Sequence, residues 1–246
     1  MQKLLAILWW FVLPLAVWGG VFAAFADAAL TVTYITALAS PSDLTTYDLG
    51  SVSVPRDGLV VVVPLGRNAG GSTATLSSVS IGGTNATIYG QAGDATSGTN
   101  VAAIVGRVVS AGSHNVTVVW GGAMTRMAAG VYLVEGYAST TPYDVDVKTA
   151  GMLVFSLSSS LDYPDQGKGI YGACLSATGA SATWSAASED YDANTEVGFS
   201  FAQRTVTPAA TGPAHQWRGR GRRRLRGFEM LSSTDGTATC PSDERT

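Results

Sequence analysis

Beyond Ala29 the chain is written in short runs that alternate apolar and polar residues with a period of two. The runs LTVTYITALA (30–39), LGSVSVP (49–55) and GLVVVVPLG (58–66) are rich in β-branched residues and bounded by Gly, Pro, Asp and Ser. That is the composition of strands and turns. The same pattern recurs over 75–83, 86–91, 101–110, 114–122 and 127–137, and then over 144–149, 152–158, 169–177, 182–186 and 196–206. No stretch between them carries the 3.6-residue period of an amphipathic helix. The spacing predicts an all-β body of antiparallel strands, a two-sheet β-sandwich of jelly-roll-like type. Val60 to Val63, apolar at four consecutive positions, predicts a strand buried on both faces. NVTVVW (115–120) alternates and predicts a half-solvated face. Gly82-Gly83 predicts a hairpin turn, because two adjacent glycines supply positive φ at no steric cost.

The first 28 residues follow another rule. Leu4 to Ala26 is an uncharged stretch of 23 residues, about 35 Å long as a helix and long enough to cross a bilayer. This N-terminal hydrophobic helix is expected to act as a secretory signal ending near Ala24-Phe25-Ala26, or as a retained membrane anchor with Trp9, Trp10 and Trp18 at the interface. It is the one expected contact with a membrane. Three segments result: signal or anchor over 1–28, β-sandwich over 29–210, and a basic, disordered tail over 211–246.

Charge divides along the same boundaries. Between Ala29 and Ala210 thirteen acidic residues stand against seven basic ones, a net of −6, while RGRGRRRLR (218–226) alone carries +6. Six guanidiniums could grip phosphates, but an acidic body on an exported chain argues against nucleic acid as the partner. The arginines read better as a solvated tail, or as the product of a shifted reading frame. Two cysteines, Cys174 and Cys240, define no disulfide framework.

Several stretches taken in order, DGLVVVVPLGRNAGG, LSSVSIGGTNATI, AGSHNVTVVW, GVYLVEGYASTTPYD and ATWSAASEDYDAN, give the chain a family likeness. From about residue 57 to 200 it resembles a loosely defined group of β-sandwich domains in phage and prophage tail or virion-associated proteins and in secreted bacterial surface proteins. The resemblance implies a non-enzymatic structural or binding module, extracellular or virion-exposed, whose partners are other virion or cell-surface proteins or surface glycans. It implies no catalytic residue.

The residues themselves nominate one region. Trp184, Glu189, Asp190, Tyr191 and Asp192 place two aromatic rings around an acidic stretch, a combination that suits stacking and hydrogen bonding to sugar rings. Asp190, Asp192, Asn194 and Glu196 also imitate the opening of a calcium loop. The imitation stops there, with Thr195 where the loop needs Gly and Phe201 where it needs a bidentate Glu, so a solvated acidic loop between strands is the expected structure and no cofactor is assigned. Asp144 with Asp146, and Asp162 with Asp165, are carboxylate pairs of the kind glycosidases use, each beside a turn-forming proline. A secreted carbohydrate-binding or glycoside hydrolase-like jelly roll is therefore the alternative function. His114 and His215 form no triad or zinc spacing with any Ser, Cys or acid.

Overall fold

The computed structural model describes residues 29–68, 75–93, 99–147, 167–175, 183–184, 187–194, 198–205 and 229–232. They hold fourteen strands: β1 (Thr31–Ser40), β2 (Leu44–Val54), β3 (Gly58–Asn68), β4 (Leu76–Ile81), β5 (Thr84–Asn85), β6 (Thr87–Gly93) and β7 (Thr99–Val109) in the first half. The second half adds β8 (Gly112–Met124), β9 (Arg126–Glu135), β10 (Val145–Val147), β11 (Lys168–Leu175), β12 (Ser188–Asn194), β13 (Gly198–Thr205) and β14 (Glu229–Ser232). The described residues contain no helix, and among them none is long and apolar enough to cross a membrane. The N-terminal hydrophobic segment lies outside the described residues.

Two sheets are expected from the sequence; three are present, in the orders β1-β9-β3-β7-β6, β2-β8-β4-β5 and β10-β14-β11-β13-β12. The first lies between the other two, and β3 is the reason. Val60, Val61, Val62 and Val63 all have 0% exposure, and successive side chains of a strand point to opposite faces. Val60 and Val62 enter a core with Val52, Val79, Val116, Val118 and Trp120 of the β2-β8-β4-β5 sheet. Val61 and Val63 enter a second core with Ile170, Phe199 and Phe201 of the sheet containing β11 and β13. A strand apolar on both faces needs two covers, and one partner sheet supplies only one.

Within the central sheet β3 pairs antiparallel with β9 on one side and β7 on the other. The β3–β7 ladder has no bridge at Val63 or Pro64, consistent with Pro64 having no N–H to donate. The Gly82-Gly83 turn between β4 and β5 has φ of 60° and 78°, so both glycines occupy the left-handed region read from the sequence. Four pairs nest around it: β4 with β5, β3 with β7, β2 with β8 and β1 with β9.

Tyr47 ties the ends of the outer β2-β8 pair together. Its hydroxyl lies 2.5 Å from the carbonyl oxygen of Met124 and 2.8 Å from that of Ser42, and it accepts the Leu44 N–H at 3.3 Å. Burial pushes this phenol above its ordinary pKa. Replacing Tyr47 with Phe keeps the ring but removes the hydroxyl that Ser42, Leu44 and the buried Met124 carbonyl share. Urea unfolding of Tyr47→Phe is expected to show a loss of about 1–3 kcal/mol.

The chain end departs from expectation. Glu229–Ser232 does not trail away from the body: it forms β14, parallel to β10 on one side and to β11 on the other. The expected disordered tail is therefore revised for these four residues; the arginine run before them lies outside the described residues. EMLS is short and mixed, with no alternation to mark it as a strand.

Candidate functional site

The region nominated by the sequence lies at the free edge of the third sheet. Residues 188–194, expected as a solvated loop, are strand β12, paired antiparallel with β13. Carboxylates suit an edge strand, where one side of the backbone meets water and charge discourages further pairing. A β-bulge sorts the acidic residues. The register runs Ser188↔Gln203, Glu189↔Ala202, then Tyr191↔Phe201 and Asp192↔Ser200, leaving Asp190 as the extra residue. Because a bulge resets the alternation of faces, Asp190 and Tyr191 both turn toward the central sheet, while Glu189 and Asp192 share the opposite, outer face with Ala202 and Ser200.

On the inner face Asp190 is a tie between layers. The Tyr132 hydroxyl, carried by β9 of the central sheet, donates to Asp190 Oδ2 at 3.1 Å, and Gln203 Nε2 donates to Oδ1 at 2.9 Å. Desolvation raises the Asp190 pKa above the usual carboxylate value, partly offset by the Gln203 and Tyr132 hydrogen bonds. Tyr132 is fully buried, and burial, with Asp190 beside it, holds its phenol well above the ordinary value. Tyr34 meets the Tyr132 ring edge-on at 5.6 Å. Tyr191 packs on Phe201 with ring centroids 6.2 Å apart.

On the outer face Trp184 donates its ring N–H to Ser200 Oγ at 2.8 Å and lies tilted on Tyr171, 5.9 Å between centroids. Tyr171, Ala202 and Ser200 beneath it are fully buried. Glu189 and Asp192 are exposed beside this platform. Partial burial raises the Glu189 pKa, with Asp192 adding to the rise and a Ser200 hydrogen bond opposing it; burial also raises Asp192.

The five nominated residues thus divide, Asp190 and Tyr191 inward, Trp184, Glu189 and Asp192 outward. The calcium imitation divides with them, since Asp190 and Asp192 point to opposite faces. Asn194 ends β12 and Glu196 lies outside the described residues. Among the described residues no group of three His, Cys, Asp or Glu side chains converges. Asp144 caps the Val145 N–H at 2.8 Å, whereas Asp162 and Asp165 fall outside the described residues. His114 binds the Ser110 carbonyl at 2.8 Å.

A second concavity was not foreseen. A cleft of about 210 Å³ is lined by Leu59, Asn85, Thr87, Tyr89, Arg107 and Thr140, among others. Its wall is set by Tyr89, the bulge residue of β6, whose hydroxyl donates to the Thr140 carbonyl at 2.6 Å. The ring lies directly over Gly106, where an added Cβ would come within 2.6 Å of Tyr89 Cε2. Burial pushes the Tyr89 phenol up to about 12. Gly106→Ala must therefore lift the ring, break its hydrogen bond and open the cleft. The expected cost is about 1–3 kcal/mol, checked by the urea midpoint and by the return of the Tyr89 titration toward the ordinary tyrosine value.

No protein-family model matches this chain, and searches of curated proteins and of solved structures find no match.

Proposed function

We propose that the chain is a non-enzymatic jelly-roll module displayed on a phage virion or a bacterial surface, where its edges and loop tips contact neighbouring proteins or glycans. The observation that carries this reading is the nested pairing. With β6 set aside as an added edge strand, the first and last strands pair, then the second and second-last, inward to the β4–β5 hairpin. One long hairpin folded over itself in this way is a two-sheet jelly-roll sandwich, the architecture of many capsid and lectin domains. The third sheet is an addition to that sandwich. The surroundings of Asp190 support the same reading, because a carboxylate spent on joining layers is not free to act on a substrate.

Fold carries function only at the level of class, and one observation favours a second reading. Glu189 and Asp192 share an outer face with the Trp184–Tyr171 platform, the ingredients of a carbohydrate-active site. One experiment separates the two. The protein is traced by antibody through purified virions and cell envelopes of its source, and the purified chain is incubated with surface polysaccharides from the same cells. The proposal expects the antibody signal on particles or envelopes and no new reducing ends. Reducing-sugar release that disappears in Glu189→Gln or Asp192→Asn would replace it with the hydrolase.

A further inference from the structure

We propose that the Tyr89 cleft binds a single N-acetylated sugar ring of a surface glycan, with the acetamido group seated on Leu59 and Val108. The inference rests on the reading of the chain as a surface-contact module and narrows its glycan contact to one site and one ligand class.

The cleft exists because the chain changes sheets at this corner. β6 joins the central sheet with Thr87 opposite Gly106, so Arg107 and Val108 of β7 have no ladder partner on the β6 side among the described residues. Upstream of Thr87 the chain belongs to the β2-β8-β4-β5 sheet, with Asn85 paired to Ser80 and the Ala86 N–H donated to the Val79 carbonyl at 2.7 Å. A notch is left beside β7. Leu59 and Val108 face each other across the β3–β7 ladder as its floor, and Val108 is 48% exposed.

Each side of the cleft offers a different chemistry. Tyr89 supplies an aromatic wall for the C–H groups of a sugar ring, held in place by its bond to the Thr140 carbonyl. The turn that carries Thr140 and Thr141 is fixed as well, because the Thr141 N–H donates to Ser139 Oγ at 3.0 Å. A wall already ordered loses less on binding. Asn85, Thr87, Thr140 and Thr141 are all exposed and present neutral amide and hydroxyl groups. Arg107 pairs with Val60 and so turns to the face opposite Leu59 and Val108, where its Nη1 donates to the Ile81 carbonyl. The charge is directed away from the floor.

These chemistries select the ligand. Neutral hydroxyls beside an aromatic wall suit an uncharged polyol ring. An apolar floor suits a methyl group, and a strand edge without a ladder partner suits an amide, whose N–H and C=O match the groups of the main chain. An acetamido substituent brings both together, and a plain hexose has neither. The volume of about 210 Å³ is roughly that of seven waters in the liquid, so one ring is held and the rest of the glycan runs into solvent. Among the described residues that line the cleft there is no carboxylate, so they offer no acid pair for glycoside cleavage.

The test is saturation-transfer difference NMR on the purified full chain, with N-acetylglucosamine and with glucose as probes. N-acetylglucosamine is expected to bind with a dissociation constant on the order of 1 mM, with the strongest transfer to its acetyl methyl protons. Glucose should bind weaker by about tenfold or more. Val108→Arg lays a long charged side chain across the floor from an exposed position, and should abolish the transfer while the urea midpoint stays unchanged. Thr87→Val removes one lining hydroxyl, should weaken binding several-fold, and reads the same site if Val108→Arg fails to fold. Equal binding of the two sugars, binding that survives both substitutions in folded protein, or no transfer from either sugar overturns the proposal. The antibody localisation on particles and envelopes is a separate measurement, so loss of the ligand and loss of the surface reading are told apart.

Discussion

Phe201→Ala is expected to cost about 3–5 kcal/mol, read as a fall in the urea midpoint, and to loosen the third sheet before the other two. Phe201 is fully buried in the core between the central and third sheets. Its neighbours cannot close the hole. Gly130 of β9 lies directly beneath the ring, where even a Cβ would come within 2.7 Å of Phe201 Cδ1. Gly172 of β11 is likewise tight, its added Cβ falling 2.7 Å from Val63 Cγ1 and 3.3 Å from Phe201 Cδ1. Two glycines facing one aromatic ring are shape complementarity in its simplest form, a bulky side chain seated where the backbone leaves room. Truncating the ring leaves a cavity with no side chain on the glycine side able to relax into it, the condition under which large-to-small changes cost most.

The mirror substitution probes the same contact from below. Gly130→Ala pushes a methyl group into the ring and is expected to cost about 1–3 kcal/mol by overpacking. In Phe201→Ala, amide exchange should accelerate in β11, β12 and β13 while β3 and β8 stay protected, since local opening follows the weakest layer. Uniform acceleration across all three sheets would contradict a separable third layer, and a loss below about 1 kcal/mol would contradict the packing itself.

How much of this was legible in the sequence depends on which physical signal each element carries. β3 was read almost residue for residue, because an unbroken Val60–Val63 run between Gly58 and Gly66 has one comfortable place, a strand covered on both sides. The β4–β5 hairpin was equally plain, since Gly82-Gly83 is written in the backbone conformations it adopts. The third sheet was not read, although the doubly apolar β3 implied a second cover. Its strands have weak signatures. β12 is Ser-Glu-Asp-Tyr-Asp-Ala-Asn, without a β-branched residue, and its charges describe the water beside an edge strand rather than the ladder that holds it. β14 pairs in parallel with strands distant in sequence, and only tertiary context specifies such a partner.

The candidate site was legible as a neighbourhood and illegible as a geometry. Trp184, Tyr191 and the three acids do cluster at one edge. Strict alternation, however, would put Asp190 on the same face as Asp192. The bulge at Asp190 reverses that, and nothing in the local text announces a bulge that brings this carboxylate to a tyrosine 58 residues away. Tyr132 supplies a buried donor that needs an acceptor, and Asp190 answers it.

That inward carboxylate leads to the second large effect. Asp190→Ala strips the acceptor from two donors, the Tyr132 hydroxyl and the Gln203 amide, inside a layer interface, with an expected loss of about 1–3 kcal/mol for each donor left unsatisfied. Asp190→Asn behaves differently. Its Oδ1 accepts from the Tyr132 hydroxyl, and its Nδ2 donates to Gln203 once that amide turns to present Oε1. No charge then has to be desolvated, so the Asn variant should match or exceed the parent near neutral pH. The pH dependence separates the two explanations. Burial raises the folded-state pKa of Asp190, and of Glu189 and Asp192, above the unfolded values, so in this window the folded chain binds more protons than the unfolded one. Stability from these groups is fully present below the unfolded carboxylate pKa and is lost as pH rises through the raised folded values. The parent should therefore gain stability on mild acidification from neutral pH, opposite to a protein whose carboxylates are salt-bridged. In Asp190→Asn part of that slope disappears, while Glu189→Gln and Asp192→Asn remove the remainder. A parent whose melting temperature falls steadily as pH drops from 7 toward the carboxylate range would show that Asp190 is held as a favourable charge, and that the tie between the layers is ionic instead of a desolvated acceptor.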